Sequence, residues 1–368
     1  FLQSTRTEFG NFKRGKFMRK LKKSLQIGLG ILLFTFTVGL ISPAVLVYAD
    51  ISENTTQVVE ECYIKTSGQR YTYCPVGIKT NEKETTFYCK NGINGQIVDY
   101  IYATTRTKNV ETRTNVALRP STDGFDRVHV CDPSVVADSY VYNGKTYKYA
   151  MFYLGAETLD NQCNQIGVAL SNYINSRFLK PENNIVIGYT YDSNHPEVFQ
   201  WGVGQPSAIS LGNGKVLLFY TKGDMNGTDT YVSLLDMSSV NSIQNLGTTK
   251  VSTEGVESFI SNADFAYNNV SQTLYMVCDK RPFSDGLLNI VADTSCVYST
   301  PVSLDDINTL STCKWILEKN IDSTVTGHER NHNCGFLRDE KGYVNGMPEI
   351  LCTVADTSLW EYRIELLK

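Results

Sequence analysis

A chain of 368 residues with 42% hydrophobic residues and a formal net charge of −4 is long enough, and apolar enough, to bury a sizeable core. No cluster of Lys and Arg follows the first fifty residues. That excludes a nucleic-acid partner, which would need a basic stripe to neutralise phosphates.

The first fifty residues read as a targeting segment. Met18 looks like the start, with residues 1–17 as upstream translation; Arg19, Lys20, Lys22 and Lys23 form a basic region, and Ile27 to Leu46 an apolar one. Val47-Tyr48-Ala49 is an A-x-A-like cleavage site that would leave Asp50 as the mature N-terminus. A signal peptide over residues 18–49 is therefore expected, and with it secretion. An apolar run of about 20 residues would also suit an uncleaved anchor, but Pro43 and the cleavage pattern favour removal. Contact with a membrane is expected only through this segment if it stays. All ten cysteines lie beyond it, an even number in a compartment where disulfides persist. None forms a C-x-x-C pair, which argues against a structural zinc site and for staples or buried thiols. No metal site is expected from spacing.

Beyond residue 50, short runs rich in Val, Ile, Tyr, Phe and Thr alternate with Gly, Asn, Asp and Ser, an all-β pattern. Examples are YKYAMFYL from Tyr147, KVLLFYT from Lys215 and TLYMVCD from Thr273, each preceded by a turn-rich stretch such as Asn143-Gly144. Laid over one another they repeat: CDPSVVADSYVYNGKTYKYAMFYLG begins at Cys131, GQPSAISLGNGKVLLFYTKGD at Gly204, NADFAYNNVSQTLYMVCDK at Asn262 and HNCGFLRDEKGYVNGMPEILCTVAD at His332. Each unit is followed by one more strand-like run. Residues 50–125, with ETTFYCK and DYIYATT, supply a further sheet beside the four units of residues 126–368. The pattern predicts one five-bladed β-propeller over residues 50–368, expected to be monomeric.

Innermost strands of a propeller converge on its axis, so the residues opening each repeat should face a central pocket. Those openings are Asp132, Gln205, Asn262-Ala263-Asp264 and His332-Asn333, all beginning on a polar residue. The four histidines, His129, His195, His328 and His332, all fall near or in these openings and suggest a histidine-lined mouth. Trp201 precedes Gln205 by four residues and offers an aromatic face to a ligand or a wedge between blades. A structural Ca²⁺ on the axis would suit such a mouth, although no ligand spacing fixes one.

The stretch from Asp132-Pro133-Ser134 to YKYAMFYLG resembles the first catalytic blade of glycoside hydrolase family 43 and its relatives, the five-bladed arabinanases, xylosidases and fructosidases. The likeness covers about residues 125–365 as a repeat pattern. It implies an exported glycosidase with a carbohydrate partner. There a first-blade Asp serves as general base, a second-blade Asp tunes the acid, and a third-blade Glu protonates the leaving oxygen. Carried over, Asp132 is the base, whereas the second position is Gln205, an amide that cannot repel charge onto the acid. The third opening carries Asp264, one methylene shorter than Glu, and Glu329 and Glu197 are loop carboxyls that could replace it. Gln205, Trp201, Asn262, His332, Asn333 and His129 are the expected substrate contacts. Two functions follow: hydrolysis with a rearranged acid, or glycan binding without cleavage.

Overall fold

The computed structural model describes residues 57–60, 71–81, 83–93, 96–107, 113–224, 226–257, 259–280, 292–356 and 361–367. Residues 1–49, where the targeting segment is expected, lie outside the described residues. Among the described residues no helix is long and apolar enough to cross a membrane.

Regular structure is almost entirely strand. Strand β1 (Gln57–Glu60) comes first, followed by blade I, made of β2 (Thr72–Lys79), β3 (Lys83–Ile93), β4 (Gln96–Thr107) and β5 (Arg113–Leu118). Blade II holds β6 (His129–Tyr142), β7 (Lys145–Ala156), β8 (Gln165–Ser171) and β9 (Ile185–Ile187). Blade III holds β10 (Gly202–Gly212), β11 (Lys215–Asp224), β12 (Gly227–Asp236) and β13 (Gln244–Lys250). Blade IV holds β14 (Asp264–Asn268), β15 (Thr273–Asp279), β16 (Ser295–Pro301) and β17 (Ile316–Ile321). Blade V holds β18 (Arg330–Arg338), β19 (Glu349–Ala355) and β20 (Arg363–Leu367), and its fourth strand is β1, antiparallel to β20.

The early strand thus completes the last blade and closes the ring. Blades V and I also touch through a short parallel pairing, Leu337 opposite Gly77 and Arg338 opposite Ile78, which merges them into one eight-stranded sheet. At that seam Gly335 is required by space: a Cβ there would lie 1.9 Å from the Pro75 carbonyl oxygen.

Sheets stacked on both sides bury both of their faces, so inner strands read as continuous apolar runs. Along β7, Tyr149, Met151 and Tyr153 pack toward Val76, Phe87 and Ile101 of blade I, while Ala150 and Phe152 pack toward Ala208, Val216 and Leu218 of blade III. Phe219 of blade III stacks on Phe265 of blade IV with centroids 4.1 Å apart. Ala266, Val277 and Val297 meet Phe336 and Ile350 between blades IV and V, and Tyr88 meets Leu337, Leu351 and Ile364 between V and I. Every pair of neighbouring blades therefore has its own apolar cluster, which is the packing of a closed five-bladed ring.

Among the described residues one disulfide, Cys89–Cys131, joins blades I and II. Cys74, Cys163, Cys278, Cys296, Cys313, Cys334 and Cys352 are free thiols, and Cys62 lies outside the described residues.

Candidate functional site: the axial pocket

Each blade brings one non-glycine residue with left-handed backbone to the axis: Cys74 (φ 51°), Asp132 (48°), Gln205 (54°), Asn262 (50°) and Asn333 (46°). In four of the blades the strand pairing slips at this point, between Tyr73 and Val76, Cys131 and Ser134, Gly204 and Ser207, and His332 and Gly335. These are bulges, which re-aim a side chain out of its sheet. A non-glycine residue in this region costs about 1–3 kcal/mol, and such positions cluster at functional sites. The five side chains line one pocket, together with Pro75, Pro133, Pro206, Ala263 and Cys334 from the following position.

Hydrogen bonds tie the ring together. Asn333 Nδ2 donates to Cys74 Sγ at 2.8 Å, and the Asn333 backbone N–H donates to Asp279 Oδ1 at 3.0 Å. Asn262 Nδ2 donates to Asp279 Oδ2 at 2.6 Å, while the Asn262 N–H donates to Gln205 Oε1 at 2.7 Å and Gln205 Nε2 donates to Asn262 Oδ1. The Asp132 N–H donates to Cys89 Sγ at 3.1 Å. Asp279, wholly buried at the end of β15, also accepts from Ser295 Oγ and contacts His332 Nδ1 at 2.7 Å. It is the anchor of half the ring, and sequence reasoning passed over it because the final Asp of TLYMVCD reads as a turn former.

Burial pushes the Asp132 carboxyl above the ordinary range. The Cys74 thiol pulls it back by hydrogen bonding, nearby Asp99 pushes it further up, and the Gln205 backbone N–H and His332 pull it down. Burial likewise pushes the Cys74 thiol well up, with Asp132 adding to it.

The register corrects the assignment of Asp264. Asn262 is the equivalent of Asp132 and Gln205; Asp264 is the equivalent of Ser134 and Ser207, two residues on. Those three side chains perform one repeated structural task. Ser134 Oγ accepts from the Ala208 N–H at 2.9 Å, Ser207 Oγ from the Phe265 N–H at 2.9 Å, and Asp264 Oδ2 from the Phe336 N–H at 2.8 Å, each reaching the inner strand of the next blade. Ser207 Oγ donates to Asp264 Oδ1 at 2.6 Å, and Arg338 Nη1 lies 3.3 Å from the same oxygen. Arg338, fully buried, also donates to Ser134 Oγ at 2.8 Å and to the Phe265 carbonyl. Asp264 borders the pocket with both oxygens engaged, which ill suits a proton donor. A lone Arg in the apolar run CGFLRD was the available signal for this plug.

Of the other expected contacts, Gln205, Asn262 and Asn333 line the pocket beside Asp132. His332 does not line it; it is buried behind Asn333 against Asp279. His129 is buried between blades I and II, its Nδ1 3.1 Å from Asp99 Oδ2, because β6 turns it toward β4 instead of the axis. Trp201 packs edge-on against Phe199 at 4.6 Å ahead of β10 and is not among the lining residues. Glu329 is exposed on the loop leading into β18, and Glu197 is exposed beside His195. Neither lines the pocket. In place of the expected histidines, the five axial positions carry three carboxamides, one thiol and one carboxylate.

Among solved structures, the α-L-arabinofuranosidase of Podospora anserina in complex with cellotriose matches at 10% identity and a TM-score of 0.54, over 84% of this chain and 94% of that one. The fold, a five-bladed propeller, is thus one shared with solved glycoside hydrolases. An exo-β-1,3-galactanase of Phanerochaete chrysosporium, solved with β-1,3-galactotriose, matches at 12% identity and 0.51, over 85% of this chain and 63% of that one. The GH62 α-L-arabinofuranosidase catalytic domain of Coprinopsis cinerea matches at 9% and 0.50, over 85% and 95%. No protein-family model matches the sequence, and no curated protein does.

Proposed function

We propose that the axial pocket is a glycosyl-binding site and that the chain, exported and monomeric, recognises glycan there without cleaving it. One observation carries this reading: of the two carboxylates bordering the pocket, Asp132 is partly exposed to it, whereas Asp264 is buried with both oxygens engaged. Inverting hydrolysis needs two carboxyls about 6.5–9.5 Å apart with water between them. A carboxylate among Gln205, Asn262 and Asn333 instead offers the mixed acceptors and donors that sugar hydroxyls require.

A second reading is favoured by the fold, which is that of solved glycosidases. In it Asp132 activates water, and the proton donor comes from outside the lining residues, with Glu329 on its exposed loop as the carboxyl to test. Titration of arabino-, galacto- and cello-oligosaccharides against the purified chain, with product release followed over long incubation, separates the two. Binding without product, weakened about 10- to 100-fold in Asp132→Asn, supports recognition. Product release abolished in that variant establishes the hydrolase. Neither binding nor release would refute both.

A further inference from the structure

Among the described residues, one group of metal-ligating side chains converges: the Sγ atoms of Cys74, Cys89 and Cys131 and a carboxylate oxygen of Asp132 all lie within 4.8 Å of one another. Spacing in the sequence gives no hint of it, because the residues come from three strands, β2, β3 and β6, of two blades.

We propose that this group is a redox-gated site for a soft divalent cation of the Zn²⁺ class, closed while Cys89 and Cys131 are joined and open when they are reduced. Three sulfurs and one carboxylate oxygen are a tetrahedral donor set for such an ion. Metal–sulfur bonds of about 2.3 Å would place the sulfurs about 3.8 Å apart, within the span these strands already hold. Two N–H groups already point at the sulfurs, from the Asp132 backbone to Cys89 at 3.1 Å and from Asn333 Nδ2 to Cys74 at 2.8 Å. A disulfide or thiol sulfur is a weak acceptor, whereas a bound thiolate is held and tuned by such outer donors.

Opening the site takes two electrons. A dithiol reductant forms its own S–S bond as the Cys89–Cys131 bond breaks, and its two hydrogens go to the two freed sulfurs. A divalent ion then displaces the protons of three thiols and takes the Asp132 carboxylate, which withdraws that carboxylate from the pocket.

The test uses the whole chain, reduced with a phosphine under nitrogen, desalted and titrated with Co²⁺ as a spectroscopic stand-in. One equivalent should bind with the strong visible bands of a tetrahedral thiolate site and be displaced by Zn²⁺, and the oxidised protein should give no such bands. Cys74→Ser, which leaves both disulfide partners in place, should abolish the bands. Asn333→Ala should weaken binding about 10- to 100-fold. Bands that persist in Cys74→Ser would assign the metal to other thiols and overturn the proposal, as would reduced wild-type protein that binds no cobalt. Should Cys74→Ser fail to fold, Asp132→Asn replaces it, and unchanged bands and affinity there overturn the proposal equally. No sugar enters these measurements, so their outcome is independent of glycan binding.

Discussion

Arg338 of blade V and Asp264 of blade IV meet at the axis, Nη1 to Oδ1 at 3.3 Å, with Ser207 donating to the same carboxylate oxygen at 2.6 Å. The pair fills the centre that five converging strands leave open. Removing one partner of a buried pair leaves an uncompensated charge and costs about 3–5 kcal/mol. Asp264→Ala should therefore lower the unfolding free energy by that amount, read from the shift of the urea midpoint. A variant of unchanged stability that has lost only hydrolysis would return Asp264 to the role of acid.

Asn262 holds Gln205 on one side and Asp279 on the other. Truncation to Ala leaves a buried carboxylate oxygen of Asp279 one donor short, at a cost of about 1–3 kcal/mol, and loosens the Gln205 side chain. Asn262→Ala should thus weaken oligosaccharide binding as well as stability, read by calorimetry and by urea unfolding. Asn262→Gly, which suits the left-handed backbone better, should recover part of the stability and none of the binding.

The Cys89–Cys131 bond closes a loop with a sequence separation of 42 between blades I and II. Loop entropy alone predicts a stabilisation of about 4 kcal/mol. Adding reductant to the wild-type chain in metal-free buffer should lower the unfolding midpoint accordingly, and Cys131→Ser should make the midpoint insensitive to reductant. Restoration of stability by Zn²⁺ in the reduced wild type alone would link this measurement to the metal site.

The blades were legible because a strand–turn–strand unit with both faces buried leaves an apolar run behind a polar opening, and four such runs begin at Cys131, Gly204, Asn262 and His332. The pocket was legible in part, since Asp132, Gln205, Asn262 and Asn333 all sit on the left-handed position. The contribution of Cys74 was not, because YTYCPVGIK puts a thiol where the other repeats carry a carboxylate or carboxamide. Asp264 was misplaced for a related reason: blade IV lacks the Pro-Ser, and only the cross-blade bonds of Ser134 and Ser207 reveal which of Asn262 and Asp264 is equivalent to which. His129 and His332 were misread because residues near a strand start can face the next blade as easily as the axis.

Tyr140 is wholly buried between blades II and III, and its hydroxyl has no hydrogen-bond partner among the described residues. Burial pushes its phenol far above the ordinary value, with Asp138 adding to it. A buried hydroxyl without a partner costs about 1–3 kcal/mol, so Tyr140→Phe should gain about 1 kcal/mol in urea unfolding at neutral pH. The pH dependence has a definite sign. A phenol that holds its proton more tightly when folded is fully stabilising below the unfolded value of about 10, and that stability is lost as pH rises beyond it, because the unfolded chain ionises first. Tyr71, Tyr73 and Tyr153 share the direction, each pushed up first by burial. Wild-type stability should fall steeply above about pH 10, and Tyr140→Phe should flatten the fall by about 1.4 kcal/mol per pH unit. An unchanged slope would mean that the hydroxyl reaches water in solution.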